Sequence, residues 1–242
     1  MMNLLKGDFI LTSITIHHEN SLQIRGRISY FLISIVFNAL GNALTVAINL
    51  GSALWTASAV NLMHFAAVPL DVMLFVFGIA VIFINVLILR RLEWQRVIGN
   101  IIFMIPFSYL TGYMTQLLLV FNINLLPLPV RIMLDLIGIC FIAVGISIYQ
   151  RVNLILHPCD DLMQIIRFKY FNGSATIAQL VTFAPPIVIV AITWFLSGRI
   201  YAINIGTVFA LLFQGTLVGL SDRCIFPTLK HQHLIGRHAG SN

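Results

Sequence analysis

Six long stretches of the chain carry no charged side chain, and they limit what it can fold into. They are residues 28–70, 72–89, 97–130, 136–150, 170–198 and 200–221. A helix needs about 20 mainly apolar residues to cross the hydrocarbon core of a bilayer. Only helices and closed barrels satisfy their backbone polar groups in lipid, and these stretches are continuously apolar, whereas barrel strands alternate. The pattern therefore predicts transmembrane helices.

The overall composition agrees with this pattern. Apolar residues make up 59% of the chain and charged residues only 9%, whereas a soluble domain carries about 25% charged residues. So few charges cannot cover a soluble globule, and so many apolar groups exclude a disordered chain. We predict an all-α fold, a polytopic transmembrane helix bundle.

The lengths of the apolar stretches predict six spans. We place them at residues 28–49, 69–90, 97–118, 128–150, 175–197 and 202–221. The segment 51–67 is apolar too, but it is short for a span. We interpret it as a re-entrant or interfacial segment on the outer side.

The basic residues predict the orientation of the chain. Lys and Arg concentrate in the cytoplasmic loops of membrane proteins. With six spans and a cytoplasmic N-terminus, every Lys and Arg except Arg131 and Arg199 falls on the cytoplasmic side. A seventh span would move the later basic clusters outside. We therefore expect a multi-pass plasma-membrane protein with both termini in the cytoplasm, whose basic charge anchors it in the lipid bilayer and does not bind nucleic acid.

The two halves of the chain resemble each other. The pattern Gly-x7-Asn-Leu of residues 41–50 recurs at 145–154, an offset of 104, and residues 98–100 align with 205–207 at an offset of 107. Each unit would hold three spans, an odd number, so the second unit enters the membrane from the opposite side. Many secondary transporters are built from such inverted repeats. The predicted segments are a cytoplasmic N-terminal segment 1–27, repeats 28–120 and 121–222, and a cytoplasmic tail 223–242.

The segment that follows the fourth span carries a family resemblance. Residues 153–163 read Asn-Leu-Ile-Leu-His-Pro-Cys-Asp-Asp-Leu-Met, which resembles the Gly-x-x-Pro-x-Asp-x-Leu element of the YczE/YyaS/YitT group of bacterial integral membrane proteins. Gly206, Thr207 and Gly219 resemble later positions of that group. The resemblance covers about residues 30–222 and implies a bacterial plasma-membrane protein that acts in transport, without a settled substrate.

The corresponding element of the first unit departs from this pattern. Leu54 stands where the group has Pro, and Thr56 where it has Asp. The acidic residue of the element is therefore kept in only one half of the chain, which argues against an ion site repeated symmetrically in both units.

Ionisable residues inside apolar spans are candidate solute or ion contacts, because each costs about 2.5 to 3.5 kcal/mol at membrane depth. Asp135 is one, and Arg131 lies one turn earlier on the same helix face, where it could neutralise the charge. Asp71 is another, with helix capping in the first turn of span two as its alternative role.

The end of span four supplies the remaining candidates. Pro158 and Asp160 form the helix-break motif, and Asp160 with Asp161 either contacts a solute or simply begins a short amphipathic helix over residues 159–169. Gln150 and Asn153 lie where span four would break and could line a cavity beside Asp160.

These features favour secondary transport of a small polar or charged solute, coupled to a proton or cation through Asp135 or Asp160. The alternative is a non-transporting scaffold or regulatory partner of another membrane protein. We expect no enzymatic activity, cofactor or metal site, because the chain has no phosphate-binding loop, zinc-protease motif or nucleophile elbow. A homo-oligomer is left open.

Overall fold

The fold is all-helical in the computed structural model, which describes residues 2–172 and 174–229, and these residues contain no strand. The predicted cytoplasmic tail lies partly outside the described residues, from position 230 onward. The helices are α1 Met2–Ile48, α2 Leu54–Ala66, α3 Leu70–Leu89, α4 Trp94–Val120, α5 Leu128–Val152, α6 Pro158–Lys169, α7 Ala175–Thr182, α8 Ala184–Ser197 and α9 Ile205–Cys224, with a 3-10 turn at Ile123–Leu125.

Six helical segments of the described chain are long and apolar enough to cross a membrane, which confirms the predicted bundle of spans. They are Ile24–Ile48, Leu70–Leu89, Trp94–Val120, Leu128–Val152, Ile177–Ser197 and Ile205–Cys224. The fifth is interrupted at Phe183, between α7 and α8. Pro185 and Pro186 follow at once, and proline lacks the amide hydrogen that a continuous helix would need there.

The segment 51–67 is not a seventh span. Its helix α2 has 13 residues, a length of about 20 Å, which is less than the hydrocarbon core. Leu54 and residues 56–61 are buried, and α2 packs against α3 and α8. The first part of α2 therefore lies within the bundle, and its last residues, 64–66, are exposed.

Helices α1 and α5 form the central pair of the bundle, and glycines let them approach closely. A Cβ atom on Gly41 would stand 2.5 Å from the carbonyl oxygen of Gly138, and one on Gly145 would stand 2.8 Å from the Cβ of Asn38. Small residues at such positions allow close packing of transmembrane helices.

Two arginine bonds show that α1 and α5 run antiparallel. The Nη2 atom of Arg27, near the start of the first span, donates to the carbonyl of Val152 at the end of α5, at 2.9 Å. The Nη2 atom of Arg131, near the start of α5, donates to the carbonyl of Ile48 at the end of α1, at 2.7 Å. Each arginine thus satisfies a carbonyl that the helix end leaves without a partner.

Both central helices end at an asparagine in the left-handed conformation, Asn49 with φ of 55° and Asn153 with φ of 49°. Asparagine tolerates this conformation better than most residues. A short helix follows each of them, α2 in the first half and α6 in the second. The predicted helix over 159–169 is confirmed as α6. The second half thus repeats the element order of the first, and the inverted relation between the units stays a prediction.

Candidate functional site

A cavity of about 310 Å³ lies between the two breaks in the central helices. We call the part of its lining formed by residues 53–56, at the start of α2, the first end, and the part formed by His157, Cys159 and Asp160, at the start of α6, the second end. Side chains of α1, α4, α5, α7 and α9 form the rest of the wall. Its volume is at the lower end of the range for small-molecule sites.

A chain of hydrogen bonds joins α1 to the start of α2 at the first end of the cavity. The hydroxyl of Thr56 donates to Oδ1 of Asn42 at 2.6 Å. Nδ2 of Asn42 in turn donates to Oδ1 of Asn38 at 2.7 Å. Both asparagines are buried and line the cavity. The amide group of Asn38 is therefore the last group in this chain of hydrogen bonds. Its Nδ2 atom donates to no acceptor in the described residues.

Asp160 and Tyr149 meet at the second end. The hydroxyl of Tyr149, in the last turn of α5, donates to Oδ2 of Asp160 in the first turn of α6. Both side chains line the cavity, and Asp160 is half-buried. Burial raises the pKa of the Asp160 carboxyl to about 6, with the Tyr149 bond opposing the shift and Asp161 adding to it. Asp160 is therefore mostly ionised at pH 7 and gains a proton in mildly acidic solution.

His157 caps α6 beside this acid. Its Nδ1 atom accepts a hydrogen bond from the backbone amide of Cys159 at 3.3 Å. The rings of Phe103 and Phe107 pack edge-on against it, with centroids at 5.3 and 5.0 Å. Burial lowers the pKa of His157 to about 4, so the ring is neutral at pH 7. With Nδ1 accepting, its Nε2 atom carries the hydrogen.

The two adjacent acids of α6 point to different partners. Asp161 accepts a hydrogen bond from Nδ2 of Asn100 at 3.0 Å, and Nε of Arg96 lies 3.5 Å from the same oxygen. Its side chain is 1% exposed and does not line the cavity. Asp161 therefore ties α6 to α4, and of the two acids only Asp160 faces the cavity.

Asp135 lies away from the cavity, buried against the start of α9. It is 3% exposed, and its Oδ1 atom has no hydrogen-bond partner in the described residues. A Cβ atom on Gly206 would collide with the Oδ2 atom of Asp135 and would stand 3.0 Å from the carbonyl oxygen of Gly51. Only glycine at 206 leaves room for this carboxylate.

The expected local ion pair between Arg131 and Asp135 is not formed: among the described residues, no ion pair within 4 Å joins them. Arg131 instead reaches the end of α1 through its bond to Ile48. The reason is geometric, because the long guanidinium side chain finds an unpaired helix-end carbonyl on a neighbouring helix.

The other predicted residues have three different positions. Gln150 lines the cavity beside Asp160. Asn153 is the left-handed cap of α5, and Pro158 begins α6, where its carbonyl accepts from Nδ2 of Asn85 at 3.1 Å. Asp71 packs on α4, since a Cβ on Gly112 would stand 2.6 Å from the Cβ of Asp71. The structure thus brings Gln150 to Asp160 and leaves Asp71 and Asp135 elsewhere.

Sequence reasoning missed the structural role of Arg151, which is 1% exposed. Its guanidinium donates to the carbonyls of Ile225 at 2.9 Å and Phe226 at 3.0 Å, and its Nε atom lies 3.3 Å from Oδ1 of Asp222. It therefore holds the end of α9 against α5. In the sequence, Arg151 is indistinguishable from the basic residues that anchor other span ends.

Sequence reasoning also missed Thr56 as a cavity residue. It lies 104 residues before Asp160, the offset that relates the first parts of the two halves. That offset, applied to the helix-break motif, could have identified Thr56 as its counterpart across the cavity.

The chain belongs to a family of unknown function, DUF6198, whose model matches residues 25–223. This match does not name the YczE/YyaS/YitT group, so the finer resemblance stays a prediction. Comparisons with curated proteins and with solved structures give no match.

Proposed function

Since membership of this family assigns no activity, we propose that the protein is a secondary transporter of a small polar or charged solute. The cavity between the two helix breaks is its solute site, and Asp160 is the group that couples transport to protons. The observation that carries this proposal is the position of the cavity. It lies where both central helices are interrupted, which is where inverted-repeat transporters hold their solutes.

The arginine bonds support an inverted repeat. The offset of 104 relates Arg27 to Arg131 and Ile48 to Val152. The two bonds that join these residues are therefore equivalent, and they connect equivalent helices that run in opposite directions. Thr56 and Asp160, related by the same offset, both line the cavity. A pseudo-two-fold axis through the cavity explains all of these pairs.

A difference between the two units supports alternating access. In the first unit α3 and α4 are packed together, and Gly78 accommodates the side chain of Met104. In the second unit α7–α8 and α9 form no such packed pair within the described residues, and Phe183 and Leu211 line the cavity that lies between them. We interpret the packed pair as the closed pathway and the unpacked pair as its open counterpart.

The predicted orientation indicates which side is open. With the N-terminus in the cytoplasm, α7 begins and α9 ends on the cytoplasmic side, whereas α3 begins and α4 ends outside. The open space between α7–α8 and α9 then faces the cytoplasm of a bacterial cell. Exchange of the two arrangements between the units would open the opposite side.

A non-transporting scaffold is the rival function, and it has less support. A purely structural bundle gains stability by filling its interior, because unfilled space forfeits packing contacts. A cavity that contains a half-buried carboxylate is a cost to such a protein.

Reconstituted protein tests the proposal. Liposomes that enclose a pH-sensitive dye are exposed to a panel of sugars, amino acids, amines and carboxylates, and proton entry with each solute is recorded. We expect one class to drive proton movement, Asp160→Asn to abolish it, and Asp71→Asn to retain it, since Asp71 does not line the cavity. If no solute moves protons, or if Asp160→Asn leaves the movement unchanged, the proposal is wrong.

A further inference from the structure

The two ends of the cavity differ in polarity, and the difference identifies a solute class. We infer that the cavity binds a small zwitterion of the amino-acid type, with its carboxylate at the start of α2 and its ammonium group at Asp160. The inference rests on the proposed function only where it concerns transport. Binding is tested independently.

The α2 end of the cavity presents hydrogen-bond donors. Ala53 caps this helix without a side-chain bond, and the first turn contains no acid. The backbone amides of Leu54, Trp55 and Thr56 have no acceptor in the described residues. The amides and the dipole of a helix N-terminus favour an anion at such a place.

Asn38 adds a second, independent donor at this end. Its side chain is 4% exposed, lines the cavity, and uses its Oδ1 atom to accept from Asn42. Its Nδ2 atom donates to nothing within the described part of the chain. A carboxylate bound in the cavity would give this amide an acceptor.

The α6 end presents an acceptor. Its first-turn amides are already used, because Asp160 and Asp161 donate to the carbonyl of His157, and Cys159 donates to the His157 ring. The charged group that this end presents to a solute is the carboxylate of Asp160, beside the neutral ring of His157. Among the described residues, no Lys or Arg lines the cavity, so the counter-charge for this carboxylate must come from the ligand.

The rest of the lining combines apolar side chains, such as Phe107, Ile142 and Met163, with the side-chain amides of Gln150, Gln179 and Gln214. The apolar part suits a short side chain. A simple anion would meet the like charge of Asp160, and a simple cation would leave the donors of α2 and Asn38 unpaired. Only a ligand that carries both charges satisfies both ends. The site therefore discriminates against singly charged ligands, because each of them leaves one end repelled or unpaired.

The test compares zwitterions with their charged halves. Thermal shift of the purified protein at pH 7.5 is measured with glycine, L-alanine and L-leucine. For each amino acid, it is also measured with the amine that lacks the carboxylate and with the carboxylate that lacks the amine. We expect at least one amino acid to bind about tenfold more tightly than both of its halves, the ratio that one additional charge-assisted contact gives. Equal binding by a half, or no binding by any of the amino acids, overturns the inference.

Variants assign the two ends. In Asp160→Asn, the amino acid should bind no more tightly than the corresponding carboxylate. In Asn38→Asp, the amino acid should bind no more tightly than the corresponding amine. Asp71→Asn, which changes an acid outside the cavity, should leave both ratios unaltered. Should Asp160→Asn bind the amino acid as wild type does, the assignment of the ammonium group is wrong.

The outcomes for binding and transport are separable. Proton-coupled flux of a sugar or a simple amine in liposomes would support the proposed transport function and refute the zwitterion as its solute. Binding of amino acids with the expected variant pattern, in a protein that moves no solute, would support the zwitterion site and refute the transport function.

Discussion

Tyr149 donates its hydroxyl hydrogen bond to the carboxylate of Asp160, so that the last turn of α5 holds the acid at the start of α6. The bond crosses the break between the two helices. It places the only carboxylate of the described cavity lining against a phenol, with neutral His157 close by. The protonation of this single group sets the charge of the cavity.

Asp160→Asn should change how stability depends on pH. The folded-state pKa of Asp160 is about 6, above the ordinary value of 3.8 for this carboxyl, so the folded protein binds this proton more tightly than the unfolded chain. Stability from this group is complete below about pH 4 and declines as the pH rises to about 6. The variant lacks this decline, and at pH 7.5 it should be more stable by on the order of 2 kcal/mol. Thermal unfolding at pH 4.5 and 7.5 measures this, and a less stable variant at pH 7.5 would contradict it.

Gly206→Ala should destabilise the protein. The new Cβ atom would collide with the Asp135 carboxylate and approach the carbonyl of Gly51, and overpacking of this kind costs about 1 to 3 kcal/mol. Gly219→Ala is the control, because its Cβ would meet no atom within 4 Å. Thermal unfolding of both variants decides the matter, and equal melting temperatures would argue against the close contact at Gly206.

Arg27→Gln and Arg131→Gln should lower stability by similar amounts. Each removes a charged donor from the carbonyl end of a central helix, a contact worth about 1 to 2 kcal/mol. Arg199→Gln is the control, since Arg199 is exposed and its side chain caps no helix in the described chain. A large loss for one arginine and none for the other would count against the equivalence of the two bonds.

Arg151→Met should cost more than either of these changes. It leaves Asp222 and the carbonyls of Ile225 and Phe226 without their shared donor, so it removes several charge-assisted hydrogen bonds at once, whereas each of the other two changes removes one. Arg223→Met, at an exposed position nearby, should be nearly neutral. Limited proteolysis after α9 would detect the loosened segment, and equal cleavage of the two variants would refute the role of Arg151.

Cross-linking tests the exchange between open and closed arrangements. With the native cysteines replaced, a Gly78→Cys, Met104→Cys pair should cross-link in the state described here, because these positions are in contact. A Phe183→Cys, Leu211→Cys pair should cross-link only during transport, when α7–α8 and α9 close. Both bonds should stop flux until they are reduced. Failure of the second pair to form during active flux would exclude this motion.

The sequence predicted the spans and the breaks because hydropathy and helix-ending residues act locally. Charge-free stretches bounded by Arg27, Arg90 and Arg151 are enough to define spans, and Pro158 with its following acids is enough to begin α6. The break at Asn153 is predicted for the same reason, whereas its left-handed conformation is seen only in the structure.

The composition of the cavity could not be predicted in the same way, since it depends on how each helix is rotated about its axis. Asp135 and Gln150 both lie in α5, yet only Gln150 faces the cavity. Asp160 and Asp161 are neighbours that face opposite partners. Arg131 contacts a helix end that no sequence spacing indicates.

Cys159 gives the protein a chemical reporter at its centre. Its side chain lines the cavity and is 9% exposed, whereas Cys140 and Cys224 are exposed on the outside of the bundle. Burial raises the pKa of its thiol, and the thiolate is the reactive form. Modification of this cysteine will therefore be slow, and its rate will change when a ligand enters or leaves the cavity. The native protein can thus report on the cavity without an added label.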